Sequence, residues 1–338
     1  MGNVVQAGVG QSPARQVALG AGMKETSDAT TINKVCASGL KSIMLAAQSI
    51  SSGYKTVVAA GGMESMSNAP FVHLFPHQQD VMGSELFLSR FLLPRNNPVF
   101  GKIEMKDSLE VDGLFDVYNK FAMGNCGEAT AQKFNISREE QDSHAIESYK
   151  RAARAWKEGA FDKEVAPVVI KTKKGEIVVK EDEEYKKVIF EKIPSLSPSF
   201  KKVGGTITPA NSSNLNDGAS AVILMSAEKA KELGVKPLAK VICAYNVPFI
   251  SGHALTYTPL PGPAYADAGL NPIDFPIAPT VALPKALESA NLTIQDIALF
   301  EINEAFSVVV RAAEKILSID SSKINVNGYV IYFDIDKK

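Results

Sequence analysis

The chain has 338 residues, 45% of them hydrophobic and 22% charged, with a formal net charge of −1. A balance so near neutral offers no electrostatic ground for nucleic acid or an anionic membrane as partner, and no apolar run approaches the roughly 20 residues that span a bilayer. The length suggests two or three domains, and three scattered cysteines, Cys36, Cys126 and Cys243, suit a reducing compartment better than a disulfide framework.

Residues 1–20 carry neither the apolar core of a secretory signal nor an arginine-rich transit pattern. "TTINKV" (30–35) is a short β-branched run, and "GLKSIMLAAQSISSG" (39–53) has helical length, is apolar nearly all round and closes on Gly53. Such a helix is expected to be buried on every face. "TVVAAGGMESM" (56–66) reads as a fully buried strand entering a glycine turn. Strand, helix and strand at this spacing predict a parallel α/β sheet covered on both faces. Residues 137–161 form an amphipathic helix that opens on a capping box from Ser137 to Glu140, and 163–187 is a charged, hairpin-like stretch. The buried α/β pattern returns at 216–234 and 292–317. Two segments, 73–93 and 243–264, show no clean period, and the final "YVIYFDIDKK" alternates like a strand. The plan is an α/β core interrupted by an excursion, followed by a second α/β unit.

"NKVCASGLKS" (33–42) carries the first chemistry. Cys36 falls where an extended run turns into a helix, facing unpaired backbone N–H groups and the positive end of the helix dipole. Both favour the thiolate, the reactive form. The bland alternative is a small packing cysteine at a tight turn, since free cysteine is usually inert.

"NKVCASGLKS", "AGGMESMSNAP", "MGNCGE", "LNDGASAVILMS", "PIDFPIAP" and "EINEAF" occur in this order at domain-scale spacing. Together they closely resemble the thiolase family, most nearly its mitochondrial-type acetyl-CoA acetyltransferases. The resemblance implies a thiolase-like fold of two layered α/β/α halves with an inserted loop domain. It places the N-terminal half at 1–72 and 203–228, the loop domain at 73–202 and the C-terminal half at 229–338, with non-family segments near 73–93 and 243–264. It makes Cys36 the acyl carrier. It gives Asn303 a water that helps form an oxyanion hole, although an asparagine there also suits the N-cap of "EAFSVVVRAAEKIL". It maps coenzyme A onto Met123, Tyr149, Lys187, Val188, Lys192 and Ser213. Lys187 stands where an arginine is usual and Ile189 where an acid is usual, which weakens a bidentate contact. "YKKVIFEK" taken alone reads as a solvated charged surface. Potassium is implied at Tyr149, Pro209, Ala210 and Ser212. The implied substrates are acetyl-CoA and acetoacetyl-CoA, the assembly a homodimer or homotetramer, the compartment mitochondrial or otherwise cytoplasmic.

The family's second base is a cysteine in a C-x-G motif, and a G-H-P histidine activates the nucleophile. Neither motif occurs in this sequence. The expectation is a chain lacking the first strand region and most of the C-terminal half, either an acetyl-CoA C-acetyltransferase or an incompetent relative that at most binds coenzyme A or joins an oligomer. His73, His77, His144 and His253 read as surface or loop histidines, and Cys126 and Cys243 as unconvincing bases. A nicotinamide dehydrogenase is set aside, because no strand is followed by G-x-G-x-x-G.

Overall fold

A computed structural model describes residues 1–72, 105–242, 250–251, 254–255 and 264–328. The segment 73–93, most of 243–264, the terminal strand reading, Cys243, His73, His77 and His253 lie outside the described residues. The elements used below are α1 (Pro13–Gly20), α2 (Ser38–Ser51), β1 (Val57–Ser65), α3 (Gly124–Lys133), α4 (Arg138–Lys157), β2 (Val168–Thr172), β3 (Gly175–Val179), β4 (Asp217–Met225), α5 (Ala278–Ser289) and α6 (Ser307–Leu317).

In the first layer β1 pairs with β4, and the pairing is antiparallel, running from Val57↔Met225 to Ser65↔Asp217. This corrects the expected parallel sheet. Period and spacing report the neighbours along the chain, whereas the partner of β1 arrives about 150 residues later. Parallel pairing survives here as the bridges Gly2↔Ile32 and Gly2↔Gly62. Through them the first residues lie between the 30–32 segment and β1. Gly2 N–H donates to the Gly61 carbonyl at 2.8 Å, and Asn3 N–H to that of Ile32 at 3.0 Å. The Glu64 carboxylate accepts from the Val4 and Val5 amides at 2.8 and 3.2 Å.

Helix α2 lies very close to this layer. A Cβ on Gly2 would sit 2.5 Å from the Ser38 carbonyl carbon, so only glycine fits there. The buried Ser42 hydroxyl accepts from Gly61 N–H at 2.8 Å, tying helix to strand. Burial is less complete than the apolar sequence predicts. Met44, Ala46 and Ala47 are buried, but Leu40 is 64% exposed. In β1 only Ala60–Gly62 are buried. Both elements pack on one face only, because the elements described here cover them from one side.

The main apolar core lies elsewhere, around α6. Val308, Val310, Ala312 and Ala313 are completely buried among Ile207, Phe300, Ile302, Ile324, Ala131 and Ile136. Each fully buried valine or isoleucine contributes roughly 1.5–3 kcal/mol. Helix α4 opens on the expected capping box: Glu140 N–H donates to Ser137 Oγ at 3.1 Å, and Ser137 N–H to Glu140 Oε2 at 2.7 Å. Strands β2 and β3 form the expected hairpin. Among the described residues the strand ladders are two-stranded, and no helix is long and apolar enough to cross a membrane.

Candidate active site

Cys36 occupies the turn between the Ile32 bridge and α2, two residues before the helix begins. Val35, the residue before it, has φ 48°, a left-handed conformation that a β-branched side chain adopts at a cost of about 1–2 kcal/mol. Strain of this kind gathers at functional sites, and here the surroundings hold it in place. Lys34 N–H donates to the Ser38 hydroxyl at 2.7 Å, that hydroxyl donates to the Val35 carbonyl at 2.6 Å, and Val35 N–H donates to Asn33 Oδ1 at 3.0 Å. No side chain caps α2, whose N-cap is Ala37. Cys36 is an exposed residue. Desolvation around its sulfur nevertheless pushes the thiol up, against a smaller lowering by a backbone hydrogen bond. Desolvation of the sulfur thus opposes the thiolate that the helix start favours. Cys126 is fully buried, and desolvation and the nearby Asp116 charge push it up to about 11.

Asn303 lies in the segment between Phe300, bridged to Ile324, and Phe306, bridged to Ser212. It does not cap α6: the helix begins at Ser307 and its N-cap is Phe306. Three residues separate Asn303 from the first helical residue, so the N-cap reading falls. The 206–213 loop meets this segment and is itself held by two helices. Ser213 N–H donates to the Ala305 carbonyl at 3.0 Å, and Ser307 N–H to that of Asn211 at 2.9 Å. From α3, the Glu128 carboxylate accepts from the Thr206 and Ile207 amides at 2.9 Å. From α4, Asp142 accepts from Asn211 Nδ2 at 2.8 Å.

This assembly brings most of the other expected residues onto one region. Tyr149 is buried on α4, seven residues and two turns from Asp142. Met123 precedes α3, where Gly124 leaves room for Phe200, itself edge-on to Phe306 at 6.2 Å. Lys187 and Val188 end the short helix Glu184–Lys187, and Lys192 sits in the following turn. Asn214 Nδ2, beside Ser213, donates to Glu184 at 2.8 Å. The Lys187 ammonium is half-exposed and pairs with Glu183 and Glu184, as the solvated-surface reading expects. Such exposed pairs are worth about 0–1 kcal/mol.

Pro209, Ala210 and Ser212 lie on the same loop, where Ser212 Oγ donates to the Thr208 carbonyl at 2.6 Å. Among the described residues no cluster of His, Cys, Asp and Glu suits a metal. Cys36 and Asn303 stand in different layers, linked through the segment after 264: Lys34 and Lys41 both pair with Asp267, and Asp274 pairs with Lys133 of α3 at 2.8 Å.

His144 is not a surface histidine. It is largely buried on α4, with Nε2 3.1 Å from Glu304 Oε1. Ser148 Oγ, one turn on, donates to Glu304 Oε2 at 2.7 Å, and Asn325 Nδ2 to Oε1 at 2.7 Å. The i, i+4 spacing of His144 and Ser148 marked a shared helix face, but their carboxylate partner lies 160 positions along the chain. Burial alone would raise the Glu304 carboxyl; the hydrogen bonds from His144, Asn325 and Ser148 and the histidine's charge outweigh it and hold the group below the usual range. A carboxyl whose folded pKa is depressed adds stability above its unfolded pKa, roughly 4.3, and loses it as pH falls through the folded value. Urea midpoints measured from pH 7 downward should therefore fall below about pH 4, and Glu304→Gln should flatten part of that fall.

Comparison with known proteins follows the same outline. The thiolase N-terminal domain matches residues 1–228, running through 73–93, and the thiolase C-terminal domain matches 262–333. The chain is 51% identical to the mitochondrial acetyl-CoA acetyltransferase B of Xenopus laevis over 329 residues, 97% of this chain and 69% of that protein. It is 49% identical to the mitochondrial acetyl-CoA acetyltransferase of Mus musculus over 97% of this chain and 68% of that one. Among solved structures, the Acat5 thiolase of Ascaris suum in complex with coenzyme A superimposes with a TM-score of 0.80 at 42% identity, covering 98% of this chain and 75% of that one. The family matches run along nearly the whole chain, so the truncation expected from the sequence finds no support within it; the chain spans roughly two thirds of the length of these two relatives.

Proposed function

Because the chain belongs to the thiolase family, we propose that it is an acetyl-CoA C-acetyltransferase working through an acetylated Cys36. The observation that carries this reading is the Cys36 turn, held in a strained conformation at the open start of α2. The Cys36 sulfur attacks the thioester carbonyl of acetyl-CoA, forming the S–acetyl bond. The thioester C–S bond breaks, and the coenzyme A thiolate leaves and takes up a proton. Loss of a methyl proton from a second acetyl-CoA creates the carbon nucleophile that attacks acetyl-Cys36, giving acetoacetyl-CoA and freeing the thiolate. In the reverse direction the same cysteine cleaves acetoacetyl-CoA. Asn303 holds a water whose O–H faces the developing oxyanion, and preorganised donors of this kind are usually a large catalytic term.

The coenzyme A handle runs past Met123, Tyr149, Lys187, Val188, Lys192 and Ser213, where lysines meet phosphates and apolar groups line the acyl end. A potassium ion held by Tyr149 and the carbonyls of Pro209, Ala210 and Ser212 would supply positive charge beside this handle. The N-terminal half comprises 1–72 and 203–228, the loop domain 73–202 and the C-terminal half 229–338, the halves being layered α/β/α. The working unit is a homodimer or homotetramer in the mitochondrion, the compartment in the names of the two acetyltransferase relatives.

Incubation with acetyl-CoA followed by peptide mass measurement should find one acetyl group, on Cys36. Acetylation of Cys126 instead, or of neither cysteine, overturns the reading. A second reading rests on the absence of a G-H-P or C-x-G motif from these 338 residues. In that case Cys36 is acetylated but acetoacetyl-CoA does not accumulate.

A further inference from the structure

We infer that Asn325 is the positioning residue for Asn303, an inference that rests on the oxyanion role given to Asn303 above. The Asn325 side chain is 1% exposed, and each of its hydrogen-bonding groups is spent on the two neighbours of Asn303. Its Oδ1 accepts from Ile302 N–H at 2.8 Å. Its Nδ2 donates to the Ile302 carbonyl at 2.8 Å and to Glu304 Oε1 at 2.7 Å. One carboxamide thereby fixes the peptide before Asn303 and the side chain after it. Only an amide supplies one acceptor and two donors at this reach.

The clamp is itself anchored. Asn325 has φ 48°, left-handed for a non-glycine residue. Its backbone N–H donates to the Phe300 carbonyl at 2.9 Å. Arg151 of α4 reaches the Ile324 carbonyl at 2.6 Å, and Arg154 that of Val326 at 2.8 Å. Glu304 is held from the same helix by His144 and Ser148. Residues 302 and 304 are thus both tied to α4 and the 323–326 turn, and Asn303 has little room to shift. A displacement of about 1 Å at a catalytic group can slow a reaction by about 10²-fold.

The test is single-turnover acetylation of Cys36 by acetoacetyl-CoA, read by mass across a range of substrate concentrations. In this step the sulfur attacks the 3-keto carbon, the C2–C3 bond breaks, and its electron pair leaves as the enolate of acetyl-CoA, which then takes a proton. Asn325→Ala should lower the limiting rate by about 10²-fold, with the half-saturating concentration changed less than about twofold. Asn325→Asp keeps the shape and the Ile302 N–H acceptor but loses both donors, so it should be slowed comparably even if the alanine variant does not fold. The double variant Asn303→Ala/Asn325→Ala should be no slower than Asn303→Ala, because residues acting as one unit are not additive. If both Asn325 variants keep the wild-type rate while Asn303→Ala is slowed, or if the two losses add in full, this inference fails and the Asn303 assignment stands. If Asn303→Ala is as fast as the wild type, the Asn303 assignment fails and takes this inference with it.

Discussion

Cys36→Ser is expected to lower acetyl transfer by at least about 10³-fold, since removing the nucleophile of a catalytic unit typically takes away most of its rate enhancement. The fold should survive. Cys36 is exposed, and serine is nearly isosteric with cysteine, so the turn should keep its shape. Near-UV spectra and urea midpoints should therefore match the wild type while the acetylated peptide disappears. A variant that still accepts acetyl groups at the wild-type rate would remove Cys36 from the mechanism. The raised thiol adds a second readout. Because desolvation pushes Cys36 up, its alkylation by iodoacetamide near neutral pH should be slower than that of a free peptide cysteine, whose pKa is about 8.5. The rate should go on climbing with pH after the peptide has levelled off.

The largest stability effect is expected from Gly61→Ala. A Cβ at this position would lie 1.9 Å from the Ser220 carbonyl oxygen, 2.8 Å from its carbon and 2.9 Å from the Ala221 Cα. All three atoms are backbone of β4, so no side chain can swing aside. Both Gly61 backbone groups are also held by Ser42. Forcing the strands apart should destabilise the protein by about 3 kcal/mol or more. Gly20→Ala is the internal contrast: it ends α1 with nothing within 4 Å of an added Cβ, and alanine is the better helix former by up to about 1 kcal/mol. Urea midpoints should move in opposite directions for the two variants. Equal effects would mean that the close strand contact is not structural.

Features set by adjacent residues were legible. The Ser137–Glu140 capping box, the β2–β3 hairpin and the turn at Cys36 each depend on a few neighbouring side chains, and each forms as expected. What was not legible depends on partners far along the chain. Nothing in "TVVAAGGMESM" names an antiparallel neighbour at 217–225. His144 looked like a residue of a charged helix because Glu304 lies 160 positions away. The Asn303 cap reading failed for a different reason: asparagine suits a cap wherever a helix begins, but here the chain runs on as far as Phe306 before turning. For Cys36 the helix start was visible, whereas the desolvation that opposes it comes from packed groups that no local pattern lists.

The β1–β4 ladder also bears on how the chain reaches its native state. Ser65 Oγ bonds Asp217 across 152 positions, so a long stretch of polypeptide must be gathered before this ladder closes. Contacts of such range slow folding, because their closure entropy is lost before pairing compensates for it. Between the two strands lie α3 and α4, whose local hydrogen bonds need no distant partner. Those helices should be the first structure to become protected from hydrogen exchange during refolding. Until β4 arrives, one edge of β1 stays unpaired, and that transient edge is where two nascent chains would stick to each other.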